Sequence, residues 1–177
     1  MRWLIALILL LPVPAQAMQM IGFGGAPPGG TLLVGTDDSP STYLAQNPND
    51  MYSSPFTAEA SGTANTAYVY YNNTNATNCK VCVYESGDTG DLLECVVVAV
   101  SGTGWKSAVM AGTLSITAST GYRLGVVCGG YQEIGANADM TYNIAVDSSC
   151  GGSYSTPIDP NCKNSTGAEG LHVYITN

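Results

Sequence analysis

The side chains best able to do chemistry in this chain are six cysteines, one histidine and a scatter of acidic and aromatic residues. The cysteines are Cys79, Cys82, Cys95, Cys128, Cys150 and Cys162. Cys79-x-x-Cys82 has a zinc-ligand spacing, but no second C-x-x-C exists and the one histidine, His172, is remote. An even cysteine count in an exported chain points instead to disulfides, with fifteen connectivities open to six cysteines. The turn cluster Ser86-Gly87-Asp88-Thr89-Gly90-Asp91 lets one hairpin be placed in register, and reflection about its centre sets Cys82 opposite Cys95. Cys79 alternates onto the face of Val81 and Val83, and Cys128 onto that of Tyr122, Leu124 and Val126, which suggests a Cys79–Cys128 bridge between core faces. Cys150 and Cys162 bracket one long irregular segment and are expected to bridge locally. The other four could exchange partners.

His172 offers little for catalysis. In its segment Leu171, Val173 and Ile175 alternate inward, so His172 is expected to face outward with Tyr174 and Thr176. A Ser-His-Asp unit needs a histidine oriented by a buried carboxylate beside an activated serine, and no nucleophile-elbow motif occurs. Glu85, Glu94, Glu133 and Glu169 could supply the carboxylate pair of a glycoside hydrolase, but nothing in the sequence selects two of them. The chain is therefore read as non-enzymatic, and it needs no cofactor.

Binding chemistry has better candidates. Tyr68 and Tyr70 occupy the polar side of the alternating run Ala67–Tyr71, and Tyr131 and Tyr154 fall in loops, so all four could stack on the apolar face of a sugar. Trp105 could do the same, but it opens an apolar run directly after Gly-Thr-Gly and is expected in the core. The oxygen-rich clusters around Asp37, Asp38 and Asp50 could hold a structural Ca²⁺. None has an ordered ligand spacing, and turn chemistry alone accounts for them. Three Asn-x-Ser/Thr triplets begin at Asn72, Asn75 and Asn164 and matter only in a host that glycosylates.

Composition limits what can surround these residues. Met1-Arg2, the apolar run Trp3–Leu11, the Pro12-Val13-Pro14 break and Ala15-Gln16-Ala17 form a signal peptide over residues 1–17. The apolar run is too short for a bilayer-spanning helix, which needs about 20 residues. Residues 18–30 form a Gly/Pro-rich leader, and 31–177 a single domain. Beyond the signal peptide the fixed cations are Lys80, Lys106, Arg123 and Lys163, against 13 acidic residues in the chain. Without a cationic patch to displace counterions, nucleic acid is excluded as a partner.

From Thr31 onward short alternating runs are separated by Gly, Asn, Asp and Ser, and none has a helical period. Strands are expected at 31–35, 55–60, 67–71, 79–84, 94–100, 105–110, 114–118, 122–128, 142–146 and 171–176. Segment 94–100 is apolar on both faces and is read as a central strand. The expected fold is all-β: an antiparallel, jelly-roll-like β-sandwich stapled by disulfides.

The order of these segments resembles a loosely defined family of bacterial and archaeal extracellular jelly-roll modules. The resemblance covers roughly Thr31 to Asn177. It is carried by the Leu33-Val34-Gly35 opening, by Ser54-Pro55-Phe56-Thr57-Ala58, by the Val81-to-Leu93 hairpin, by Gly104-Trp105, by Gly121-Tyr122-Arg123-Leu124-Gly125-Val126, and by Thr156-Pro157-Ile158-Asp159-Pro160 with the closing His172–Ile175 segment. The cysteines depart from the usual module. The resemblance implies an accessory, surface or particle-associated part, and similar jelly rolls bind sugars. The expected role is thus a secreted or surface-bound structural or adhesive component, whose partner is a glycan, an extracellular protein surface or another copy. A carbohydrate-binding module is the alternative, and a carboxylate-dependent glycoside-active enzyme a distant third. Non-reducing peptide mapping should recover a Cys150–Cys162 link, and a free thiol at either position would overturn the local bridge.

Overall fold

The computed structural model describes residues 30–73, 75–86, 91–138, 142–145, 165–167 and 170–177. Every regular element among them is a β-strand, as the period-two pattern requires. Seven form one sheet: β1 (Leu32–Gly35), β2 (Thr42–Gln46), β5 (Thr66–Tyr71), β8 (Gly104–Val109), β11 (Gln132–Asn137), β14 (Gly170–Leu171) and β15 (Val173–Thr176). Six form the other: β3 (Met51–Thr57), β6 (Thr77–Glu85), β7 (Leu92–Val100), β10 (Gly121–Cys128), β12 (Tyr142–Ala145) and β13 (Ser165–Gly167). The short strands β4 (Gly62–Thr63) and β9 (Ser115–Ile116) make a separate two-stranded ribbon. Every pairing is antiparallel.

The two sheets face each other across one core. Leu33, Ala67, Val69, Tyr71, Ile134, Leu171, Val173 and Ile175 enter it from the seven-stranded sheet, and Phe56, Val81, Val83, Val98, Tyr122, Leu124 and Val126 from the other. Each alternate residue along these strands is buried, which is how a sandwich core forms from period-two sequence. β6 is cross-linked on both of its faces. Cys79 on the core face bridges to Cys128 of β10, and Cys82 on the opposite face bridges to Cys95 of β7. In both cases the partners are directly opposed in strand register, as the hairpin count and the shared core faces led one to expect. Such bridges suggest an extracellular or otherwise oxidising environment. Among the described residues, no helix is long and apolar enough to cross a membrane. The expected signal peptide, all but the last residue of the expected leader, Tyr154, and Cys150 and Cys162 with the bridge expected between them lie outside the described residues.

Several sequence expectations need correction. β7 is not central: it is an edge strand, and the two-sided apolar run arises because Val97 and Ala99 stay exposed on the outer face. β3 begins at Met51, earlier than expected, because Met51 to Ser54 are all buried, two of them serines that mask the apolar pattern. β2 and β11 escape the sequence reading altogether, since each turns a glutamine inward where an apolar residue would mark the strand. Gln46 and Gln132 are fully buried and directly opposed. Gln46 Nε2 donates to the carbonyls of Asp50 (2.8 Å) and Val126 (2.7 Å), and Gln132 Nε2 to that of Asn75 (3.1 Å). These bonds offset part of the cost of burying the amides.

The two bridges close loops of different length, with sequence separations of 49 and 13. In equilibrium denaturation the Cys79→Ala/Cys128→Ala variant is expected to lose about 4 kcal/mol, and Cys82→Ala/Cys95→Ala about 3 kcal/mol, on chain-entropy grounds. Equal losses, or a larger one for the short loop, would show that loop entropy is not what the bridges supply.

Candidate functional site

The outer face of the seven-stranded sheet carries six rings in contact. Alternation on β5 sends Ala67, Val69 and Tyr71 into the core and leaves Tyr68 and Tyr70 on the other side. Neighbouring strands place their own rings beside these by register: Trp105 of β8 lies opposite Tyr70, Tyr174 of β15 opposite Tyr68, and Tyr43 of β2 opposite Gly135 of β11. Gly135 has to be small. A Cβ there would lie 3.0 Å from Tyr70 Cβ and 3.1 Å from Pro40 Cβ, so its absence lets ring and proline close over the strand.

These rings form two tiers. The lower tier is buried: Tyr68 stacks on Tyr174 with centroids 4.5 Å apart and planes 9° from parallel. Trp105 meets Tyr174 edge-on at 4.9 Å and lies 6.3 Å from His172. The upper tier is open to solvent in part. Tyr43 is 42% exposed, and Tyr70 and Trp105 are half-buried. Tyr70 meets Trp105 edge-on at 5.5 Å and lies 6.3 Å from Tyr43. Burial, then the neighbouring Tyr43, pushes the Tyr70 hydroxyl above its ordinary pKa. Burial does the same to Tyr174, reinforced by Tyr68 and Asp37. Both phenols stay protonated at physiological pH and are available as neutral donors and acceptors.

His172 sits where the last strand divides. Its backbone N–H donates to the Gly135 carbonyl of β11 (2.9 Å), and its carbonyl accepts from Tyr70 N–H of β5 (3.1 Å). On one side of it β14 pairs with β11, and on the other β15 lies between β1 and β5. The side chain points to the outer face, as alternation requires, yet it is fully buried. The loop 36–41 lies against it, and Nδ1–H donates to the Asp38 carbonyl (2.8 Å). That bond fixes the tautomer and leaves Nε2 bare, buried and without a hydrogen bond. Protonation would place a cation there with no acceptor, so burial holds the His172 pKa below its ordinary value, against a smaller opposing pull from Asp38.

The structure brings together some of the sequence candidates and separates others. Tyr70 stays a surface candidate. Tyr68 does not: at 7% exposure it is a floor for the rings above, because Tyr174 covers it. Trp105 is not in the core but on the outer face, since β8 is an edge strand whose inward position next in line is taken by Lys106, opposite Val69. Tyr131 is 42% exposed beyond the end of β10, and among the described residues it makes no ring contact with the cluster. Asp37 and Asp38 lie exposed in the loop at the rim of the rings, with Thr36 Oγ1 donating to Asp38 Oδ2 at 3.3 Å. Asp50 is buried in the β2–β3 turn, where its Oδ2 accepts from Asn47 Nδ2 (3.2 Å). Among the described residues, no three His, Cys, Asp or Glu side chains gather in a group able to hold a metal ion. The sequence reading missed Tyr43 because β2 itself was missed, and missed Tyr174 because its neighbours across the sheet could not be known.

No protein-family model matches the chain, and no curated protein matches it in sequence.

The state of His172 has a measurable consequence. Above its ordinary pKa of 6.5 the ring is neutral in both folded and unfolded chains. Below it, the unfolded chain takes up a proton that the folded one resists. Stability is therefore expected to fall as pH drops through about 7 to 5 and to level off below the depressed folded pKa. Thermal unfolding by circular dichroism should show this slope in the wild type and not in His172→Asn, whose amide can still donate to Asp38.

Proposed function

We propose that the domain is a non-catalytic extracellular recognition module that lays the rings of Tyr43, Tyr70 and Trp105 against a saccharide. The observation that carries this is the two-tier aromatic face. Trp105 packs edge-on against the buried Tyr174 and lies beside His172, Tyr70 packs edge-on against Trp105, and Tyr43 lies against Tyr70. The three part-exposed rings thus form a row anchored at Trp105 on the buried layer before any ligand arrives. Packed rings lose little freedom on binding, and their faces suit the apolar C–H faces of sugars. Phenolic hydroxyls and the exposed Asp37 and Asp38 at the rim supply donors and acceptors for sugar hydroxyls. The resemblance to extracellular jelly-roll modules points the same way.

Two observations bear on catalysis. His172 is turned to a backbone carbonyl rather than a carboxylate and has no open path to a substrate. A cleft of about 290 Å³ between the six-stranded sheet and the short β4–β9 ribbon is lined by Glu85, Leu93, Ser115 and Tyr122 among others, and Glu85 is the one carboxylate among its described lining residues. The structural or adhesive role keeps one observation in its favour, the open edge of the sandwich described below.

Glycan-array screening followed by calorimetry tests the proposal. Tyr43→Ala and Trp105→Ala should each weaken binding roughly tenfold, while Tyr131→Ala, on a separate loop, should leave it unchanged. Absence of any saccharide hit, or equal losses in all three variants, would rule the aromatic face out as the site.

A further inference from the structure

Both sheets end on the same side of the sandwich, at consecutive strands. β7 is the last strand of the six-stranded sheet and β8 has a partner on only one edge, and residues 101–103 join them. Among the described residues no strand pairs with the outer edge of either. Natural edge strands are usually blunted by prolines, lysines or short length. β7 has nine residues, Leu92-Leu93-Glu94-Cys95-Val96-Val97-Val98-Ala99-Val100, with no proline and no cation. Its one charge, Glu94, is engaged locally, where Oε1 accepts from Ala111 N–H at 2.7 Å. The large apolar side chains most exposed to solvent cluster on these two edges: Leu92 at 46%, Val97 at 49% and Val109 at 80%.

We infer that this side of the sandwich is a homodimer interface, in which β7 and β8 each pair antiparallel with the same strand of a second copy. A second copy is the occupant the chemistry favours. About an axis at Val97 and Ser107, the one charge of β7, Glu94, falls opposite Val100 of the other copy and the one charge of β8, Lys106, opposite Ala108, so no like charges meet when each strand pairs with itself. One two-fold axis serves both edges. Counting outward from the turn centred on Gly102 sets Val97 level with Ser107, so an axis through both pairs Val97 with its own counterpart and Ser107 with its own. Cys95 then faces Ala99 of the other copy, and Trp105 lies beside the other copy's Val109. The result is a closed two-fold assembly, with no unpaired edge left on this side to propagate.

The area suffices. Nine residues of β7 span about 30 Å and six of β8 about 20 Å, and each sheet is about 10 Å deep. The two edges together present roughly 500 Å² per copy, or about 1,000 Å² in all, the threshold for a specific interface. A single edge would fall short. Joining the β8 edges also makes the two outer faces continuous, so that the ring rows of both copies share one surface.

Sedimentation velocity on the mature, disulfide-intact chain tests this inference. The expected result is a concentration-dependent species of twice the monomer mass. Val97→Glu should abolish it. Val97 is opposite Lys80 in register, so the new carboxylate has a cation beside it in the monomer and meets its own like in the dimer. An unchanged circular dichroism spectrum and disulfide content would show that the variant folds. Mixing Val97→Glu with Val97→Lys should restore the dimer mass, because opposite charges then meet across the axis. A monomer at every concentration up to the solubility limit overturns the proposal. So does a dimer that Val97→Glu and Val109→Glu leave intact. Saccharide binding by Tyr43 is read out separately and can fail while the dimer stands.

Discussion

The peptide of His172 is the joint on which the seven-stranded sheet closes. A strand has two edges, and β5 spends one of them on β8. Its other edge must serve both the end of the chain and β11. The last strand achieves this by dividing at His172, which passes one hydrogen bond to β5 and one to β11 and so carries the sheet across the fork. Through the same strand, β15 takes β1 along its far edge, and the two ends of the domain lie side by side. The close approach demands a glycine at the end of β1. Gly35 has φ +111°, and a Cβ there would sit 2.2 Å from the Val173 carbonyl oxygen. Loop 36–41 leaves from this glycine and lies directly against the His172 ring, whose Nδ1–H holds it by the Asp38 carbonyl. Sheet closure and the covering of the aromatic floor therefore meet at one residue.

The second sheet is held differently. With charged residues only 10% of the chain, ion pairing has little to offer at the surface, and such pairs contribute weakly there in any case. β6 instead has a covalent tie to each neighbour, one on each face. The core-side bridge, Cys79–Cys128, lies beside Tyr71, whose hydroxyl is 3.7 Å from Cys128 Sγ and is pushed far above its ordinary pKa by complete burial. That contact reaches from one sheet to the other. The outer bridge secures β7, the edge strand of this sheet, which has a partner on one side only.

Much of this was legible in the sequence, and the failures share one cause. Alternation assigns each residue to a face, and it did so correctly for Ala67, Val69 and Tyr71, for Cys79, Val81 and Val83, and for His172 and Tyr174. Face assignment plus one turn pointed to both described disulfides, while leaving the four cysteines open to exchange of partners. Alternation does not give lateral order, though. Segment 94–100 reads as central because it is apolar on both sides, but only its position beside β6 decides whether those sides are covered. Trp105 reads as core from its place at a strand start after Gly-Thr-Gly, and only its position on the edge strand β8 decides otherwise. Nor does a face reveal what lies above it: Tyr68 and His172 point outward and are still buried, one beneath Tyr174 and the other against loop 36–41. Polar residues at inward positions concealed two strands entirely, and Gln46 and Gln132 could take those places only because carbonyls of Asp50, Val126 and Asn75 await their amides.

The aromatic face bears on how the strands' two requirements are reconciled. An outer face built only of solvated polar residues would satisfy solubility and bind nothing strongly. A fully exposed row of six rings would be an aggregation surface. Here the lower rings are withdrawn by mutual stacking and by the loop, and three remain accessible in part. Trp105 is set edge-on against the buried Tyr174, Tyr70 edge-on against Trp105, and Tyr43 is tilted against Tyr70. A ligand would therefore meet a surface whose ordering was accomplished during folding, and the entropy that flexible side chains surrender on binding has already been spent. His172 serves the sheet and the face through different groups: its peptide joins β5 to β11, while its buried imidazole holds loop 36–41 and lies beside Trp105.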